Sequence, residues 1–246
     1  PEPSSNYAAA LAAYEPKLRS FLARGATTIA VPGSLMNDPA GLKAANDFVR
    51  RAGLQQTAFV PFANEPPDPA WPQIADAAAQ WKASAPDIPV MVSSLGVRPF
   101  IDPRIDLWTL HSQVFDTGSN VEVLNHIASG REVWWYVSNT PPRPYANFFV
   151  DFAGIEHRIL FWQSFALGVR GMHYWNVNYT APGEDPWKSV LDETPVNGDG
   201  LLLYPGANGP INSVRWEIIR DGIEDYDYLA LLIARRNALM EDRGND

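Results

Sequence analysis

The segment Phe62-Ala63-Asn64-Glu65-Pro66-Pro67 carries the chemistry in this 246-residue chain. An apolar run leads directly into a carboxamide and a carboxylate, and two prolines then stop it. A carboxyl walled by rings in a partly dry pocket holds its proton more tightly than one in water, as a proton donor must. Glu65 is expected in such a pocket. Asn64 beside it can donate or accept a hydrogen bond without adding charge. Other apolar runs end in the same style. Trp134-Trp135-Tyr136 alternates between two faces, and Tyr174-Trp175-Asn176-Val177-Asn178 closes with two rings and two amides. Ser94 and Asn139 also lie at or just past such runs, and His111 and His173 sit near the ends of theirs. Amides beside Trp and Tyr suit neutral, hydroxyl-rich ligands, because flat apolar faces stack on rings while amides bond hydroxyls. Trp135, Tyr136, Tyr174, Trp175, Asn176 and His111 are therefore the expected binding residues.

The elements that must position these side chains alternate in type. Tyr7–Arg24 reads as an amphipathic helix interrupted at Pro16 and ended by Gly25, and 26–32 as a buried parallel strand. Asp38 caps a helix to about Ala52 that Gly53 stops. Strands follow at 57–63, 89–94, 106–112, 133–138 and 171–177. Helices occupy 72–85, 121–129 and 151–169. Then come a Pro-, Gly- and acid-rich loop over 178–198, a short apolar run at 200–204 and a final helix over 213–236. Strand–helix alternation predicts a parallel sheet covered by helices. No glycine-rich phosphate loop follows any strand, and polar or aromatic residues recur at strand ends, where a (β/α)8 barrel builds its site. The expected fold is a TIM barrel forming one domain over 1–246.

Composition removes other classes. Net charge is −9, which disfavours nucleic acid and anionic membrane as partners. The longest apolar stretches are too short to span a bilayer. There is no cysteine, so disulfides, thiol nucleophiles and thiolate metal sites are excluded. His111, His126, His157 and His173 are not at ligand spacing, so no metal and no cofactor are expected. No G-x-S-x-G elbow supports a serine hydrolase. Asp221, Glu224, Asp225 and Asp227 stand at helical spacing with Arg215, Arg220 and Tyr226, which reads as a solvated salt-bridging face. The composition fixes no oligomeric state.

Three blocks then carry a resemblance: Asn197-Gly198-Asp199-Gly200-Leu201-Leu202-Leu203-Tyr204-Pro205-Gly206, Pro210-Ile211-Asn212-Ser213-Val214-Arg215, and Arg220-Asp221-Gly222-Ile223-Glu224-Asp225-Tyr226-Asp227-Tyr228-Leu229. Together with Trp135-Tyr136, Arg158 and Trp162, Tyr174-Trp175-Asn176 and Asp185-Pro186-Trp187, they resemble glycoside hydrolase family 123 and its related domains. The resemblance implies a barrel with an Asp-Glu pair at the end of its fourth strand. It also implies retaining, substrate-assisted cleavage of β-linked N-acetylgalactosamine. Glu65 matches the acid, and Asn64 stands where the Asp is expected. Strands one and two would then precede Pro1, leaving the barrel incomplete at its N-terminus, and a secreted or periplasmic enzyme is expected. Two alternatives stay open: a barrel that binds sugar without cleaving it, and a two-carboxylate glycosidase on a neutral sugar, with Glu184 or Asp185 as the second carboxylate.

Overall fold

The computed structural model describes residues 3–31, 38–95, 103–116, 120–188 and 197–244. It packs as two compact units, Pro1–Leu110 and His111–Asp246.

In the first unit, helix α1 (Pro3–Ala23) runs through Pro16 without a break. Helix α2 (Pro39–Ala52) has the ends its sequence dictates. The Asp38 carboxylate accepts from the Ala40 and Gly41 amides at 2.9 and 3.2 Å, and Gly53 closes the last turn at φ 71°. Leu42, Ala45, Phe48 and Val49 form its buried stripe. Strand β1 is only Ile29–Ala30; 32 lies outside the described residues. Strands β2 (Ala58–Asn64), β3 (Val90–Ser94) and β4 (Leu107–His111) follow, with α3 (Trp71–Ser84) between β2 and β3. All pair in parallel in chain order. β3 and β4 are buried along their whole length, as expected of strands covered on both faces.

Strand β2 carries one irregularity. Pro61 pairs with Met91 and Ala63 with Val92, so Phe62 is an extra residue in the ladder. Such a bulge re-aims every side chain beyond it, and Pro61, which has no N–H to give, sits where the ladder is already broken. Phe62 is buried and meets the Trp81 ring of α3 edge-on at 5.9 Å.

In the second unit, α4 (Asn120–Ala128) precedes β5 (Val133–Tyr136), which pairs in parallel with β6 (Gly171–His173) across α5 (Gly154–Leu167). β6 is shorter than the expected 171–177, because the chain leaves the strand after His173 and bends at Trp175. The run 200–204 supplies only β7 (Leu203–Tyr204), antiparallel to β8 (Ile211–Asn212). Helix α6 (Val214–Gly244) outruns its expected end. It packs on α5 through Phe165 and Tyr226, whose rings are 5.5 Å apart, and through Gly222, where a Cβ would come within 2.3 Å of the Phe161 ring. Among the described residues, six parallel strands interleaved with helices make this an α/β fold.

Candidate active site

Asn64 and Glu65 leave β2 at its C-terminal end. The Glu65 amide donates to the Ser93 carbonyl at 2.9 Å, and the Ser93 hydroxyl donates to Asn64 Oδ1 at 2.6 Å. Ser93 is buried and lies opposite Asn64 in the β2–β3 register. With one lone pair of Oδ1 taken, the amide NH2 of Asn64 remains a donor at an exposed position. Glu65 is held at φ 45°, the only described residue besides glycine in the left-handed region. A side chain with a Cβ enters that region at a cost, and such strain concentrates at functional sites. Pro66 behind it is buried. Glu65 itself is exposed, which differs from the enclosed position its neighbours in sequence implied. The bulge and the left-handed turn at Glu65 break the plain strand alternation on which that expectation rested.

The second unit holds the aromatic residues in two groups. In the first, the Gln113 amide donates to His111 Nδ1 at 3.4 Å, so Nε2 carries the proton and donates to Thr140 Oγ1 at 2.9 Å. Tyr136 meets the His111 ring edge-on at 5.2 Å. The loop beyond β5 is braced by the buried amide of Asn147, which donates to the Ser138 and Pro141 carbonyls at 3.0 and 3.1 Å. Asn139 is exposed there. The structure separates Trp135 from this group. Neighbours on a strand point to opposite faces. Trp135, 3% exposed, lies against Phe115 at 5.5 Å and borders a cleft of 480 Å³ with Leu160 and Gln163 of α5. Trp135 and Tyr136 thus face opposite sides of β5.

The second group lies past β6. The Tyr174 hydroxyl donates to Asp199 Oδ1 at 2.9 Å, and the Trp175 indole N–H donates to Asp199 Oδ2 at 3.0 Å. The Gly200 amide donates to the Tyr174 oxygen at 2.8 Å. Burial, and then the Asp199 charge, push the Tyr174 phenol well above its ordinary range, so it stays a proton-bearing donor. Trp175 remains 44% exposed and leans on Tyr179 at 4.9 Å. Asn176 spends its carbonyl oxygen on the amides of Val177 and Asn178 at 2.8 and 3.0 Å, which makes the turn that follows. His173, the last residue of β6, pairs with Tyr136 in register, and burial lowers its pKa.

Two residues that sequence reasoning misplaced or missed hold this group. Asp199 sits between two positive-φ glycines, Gly198 and Gly200, and is 3% exposed. Arg215 is not on a solvated face. It is 6% exposed and donates to the carbonyls of Phe148 at 2.6 Å, Gly198 at 2.8 Å and Leu201, clasping the chain on both sides of Asp199. The rest of the acidic face behaves as expected at Arg220, which pairs with Glu217, Asp221 and Glu224. Asp225 instead reaches α5, where the Arg158 guanidinium at 2.5 and 2.8 Å and the Trp162 indole at 2.8 Å pull its pKa down to about 2. Asp185 caps the Trp187 amide at 3.0 Å and pairs with Lys188. Those bonds lower its pKa, the backbone amide most. Among the described residues, no three His, Asp or Glu side chains are grouped to hold a metal, and no helix is long and apolar enough to cross a membrane.

The model of the glycoside hydrolase 123 catalytic domain matches residues 40–232, from α2 into α6. The chain belongs to that family. Among solved structures, the chain is similar to a family 123 glycoside hydrolase from Clostridium perfringens, described for its hydrolysis of glycolipid glycans, with a TM-score of 0.65 and 17% identity. The match covers 87% of this chain and 38% of that one, so the present chain spans well under half of its relative. A GH10 xylanase from Thermobacillus composti aligns at TM-score 0.35 and 14% identity, over 75% of this chain and 70% of that one, too weakly to carry an argument. No curated protein is significantly similar in sequence. The Asn64-Glu65 pair at the end of β2 lies within the matched span.

Proposed function

We propose that this chain is the catalytic part of a retaining glycosidase that cleaves a β-linked N-acetylhexosaminide, N-acetylgalactosamine first among them, with Glu65 as general acid and then base. The observation that carries the reading is the strained, Ser93-tethered Asn64-Glu65 pair at a strand's C-terminal end in a family 123 domain. Glu65 gives its proton to the glycosidic oxygen while the substrate's acetamide oxygen attacks the anomeric carbon. The carbon–oxygen bond breaks, the alcohol leaves, and an oxazoline remains. Water then attacks the same carbon, losing its proton to Glu65, and configuration is retained. Asn64 supplies no negative charge for a cationic oxazolinium. Its amide N–H can donate to the nitrogen of a neutral oxazoline, in which case the acetamide proton passes to solvent water as the ring closes and returns from water as the ring opens.

The relative's action on glycolipid glycans makes a glycolipid headgroup ending in β-N-acetylgalactosamine the first natural substrate to try. Aryl β-glycosides with and without the 2-acetamido group test the mechanism. Turnover confined to the acetamido substrates, inhibited strongly by a thiazoline mimic of the oxazoline, is expected. Equal turnover of both sets would sink substrate assistance in favour of a two-carboxylate mechanism. One observation favours a second reading: Glu65 is exposed and Asn64 uncharged, which suits a domain that binds sugar without cleaving it. Binding of N-acetylgalactosamine with no turnover of any aryl glycoside would select it.

A further inference from the structure

We infer that Asp199 is a positioning residue that fixes Trp175 as a ready-made stacking face for a pyranose ring. The inference rests on the glycosidase reading and names part of its substrate grip. Tyr174 and Trp175 are consecutive, and on a regular strand their rings would point to opposite faces. Here the chain bends just after β6, and both rings deliver their polar hydrogens to one carboxylate, one to each oxygen. Asp199 is 3% exposed, so it is not placed to meet a substrate itself. Trp175 is 44% exposed, and its six-membered ring lies against Gly200, where a Cβ would stand 2.4 Å from it. One edge of the indole is pinned by a charge-assisted hydrogen bond, Gly200 and the tilted Tyr179 ring back it, and 44% of the residue stays open. A flat apolar face held in one orientation suits the C–H face of a sugar, because little rotamer freedom is lost on binding.

The carboxylate is placed from behind. Arg215 donates to the Gly198 and Leu201 carbonyls, which flank Asp199 and Gly200, and its charge lies near enough to act on the Tyr174 phenol together with that of Asp199. The pattern also requires a carboxylate. The Gly200 N–H already donates to the Tyr174 oxygen, so the phenol hydrogen points to Asp199, and the Trp175 N–H points there as well. Two donors meet two acceptor oxygens. An asparagine in this place offers one acceptor and sets its own N–H2 against the other donor.

The test is a mutant cycle on the whole chain with D199N, W175F (which keeps a ring and deletes the indole N–H) and the double variant, all checked for folding. Kinetics use an aryl β-N-acetylhexosaminide. Each single change is expected to raise KM about tenfold, the weight of one well-placed hydrogen bond, with kcat within about twofold. The double variant should be no worse than the worse single one, because there is one bond to lose. Multiplied effects, an unchanged KM in folded D199N, or a loss confined to kcat would overturn the inference. If D199N fails to fold, W175F decides, and an unchanged KM in it is fatal. If the native chain turns over no substrate, the glycosidase reading fails first, and Asp199 is judged by calorimetric titration of N-acetylgalactosamine into the same four proteins. The same non-additive weakening would sustain it; equal affinities, or no binding by the native chain, would end it.

Discussion

Two strand ends in this molecule carry chemistry-bearing residues, and they are held in opposite ways. Beyond β2, Asn64 and Glu65 are kept mainly by the main chain, through a bulge, a left-handed residue and the Glu65 amide bond to the Ser93 carbonyl, with one short side-chain bond from the Ser93 hydroxyl to Asn64. Both side chains are exposed. Beyond β6, Tyr174 and Trp175 are kept by side chains, through a buried carboxylate and the buried guanidinium behind it. Local backbone geometry can aim a residue from within its own stretch of chain. Aiming a large ring takes groups recruited from far along the chain.

Glu65→Gln should break the comparison most sharply. Loss of the proton donor is expected to slow cleavage of substrates with poor leaving groups by roughly 10²–10⁴-fold, while activated aryl glycosides are partly spared. Steady-state kinetics on both leaving groups checks this, and equal loss of binding and turnover would deny Glu65 the acid role. At the other strand end the large effect falls on stability. Arg215→Met strands the carbonyls of Phe148, Gly198 and Leu201 and should cost on the order of 3 kcal/mol, read as a drop in the denaturant midpoint. Ser93→Ala should cost about 1 kcal/mol, since Asn64 faces solvent and can bond water instead. Comparable losses in these two variants would erase the contrast.

Those two ends also differ in how well they could be read. The strand end that carries Asn64 and Glu65 was legible because the apolar run and the stopping prolines are contiguous, and α2 was legible because Asp38 and Gly53 mark both its ends. The bulge at Phe62 was missed, although Pro61 inside a strand is a signal for one. Trp135 and Tyr136 were both expected to bind because strand period does not say which of two opposite faces meets the ligand. Asp199 and Arg215 were hidden for another reason. Their partners lie 14 to 67 residues away, and helical spacing put Arg215 among the surface charges. Family resemblance marked both blocks without saying what either residue touches.

The smallest expected effects are in pH dependence. The Asp225 pKa is depressed to about 2, so its contribution is whole above the unfolded value near 4. It should fade between about pH 4 and pH 2, and Asp225→Asn should flatten the stability curve only there. His157 donates Nδ1–H to the Asn147 carbonyl at 2.8 Å, and burial lowers its pKa. The unfolded chain then binds the extra proton first, so stability should begin to fall as pH drops below about 6.5. A flat profile from pH 7 to pH 5 would show that neither His157 nor His173 is held neutral.

The backward-leaning φ of Glu65 sets the interests of the fold against those of its proposed chemistry. Glycine there would relieve the main chain and should raise stability by about 1 kcal/mol while removing the acid. A selection for thermal endurance alone, blind to turnover, would therefore discard the carboxylate at position 65 early, and a hardier but silent protein would be its product.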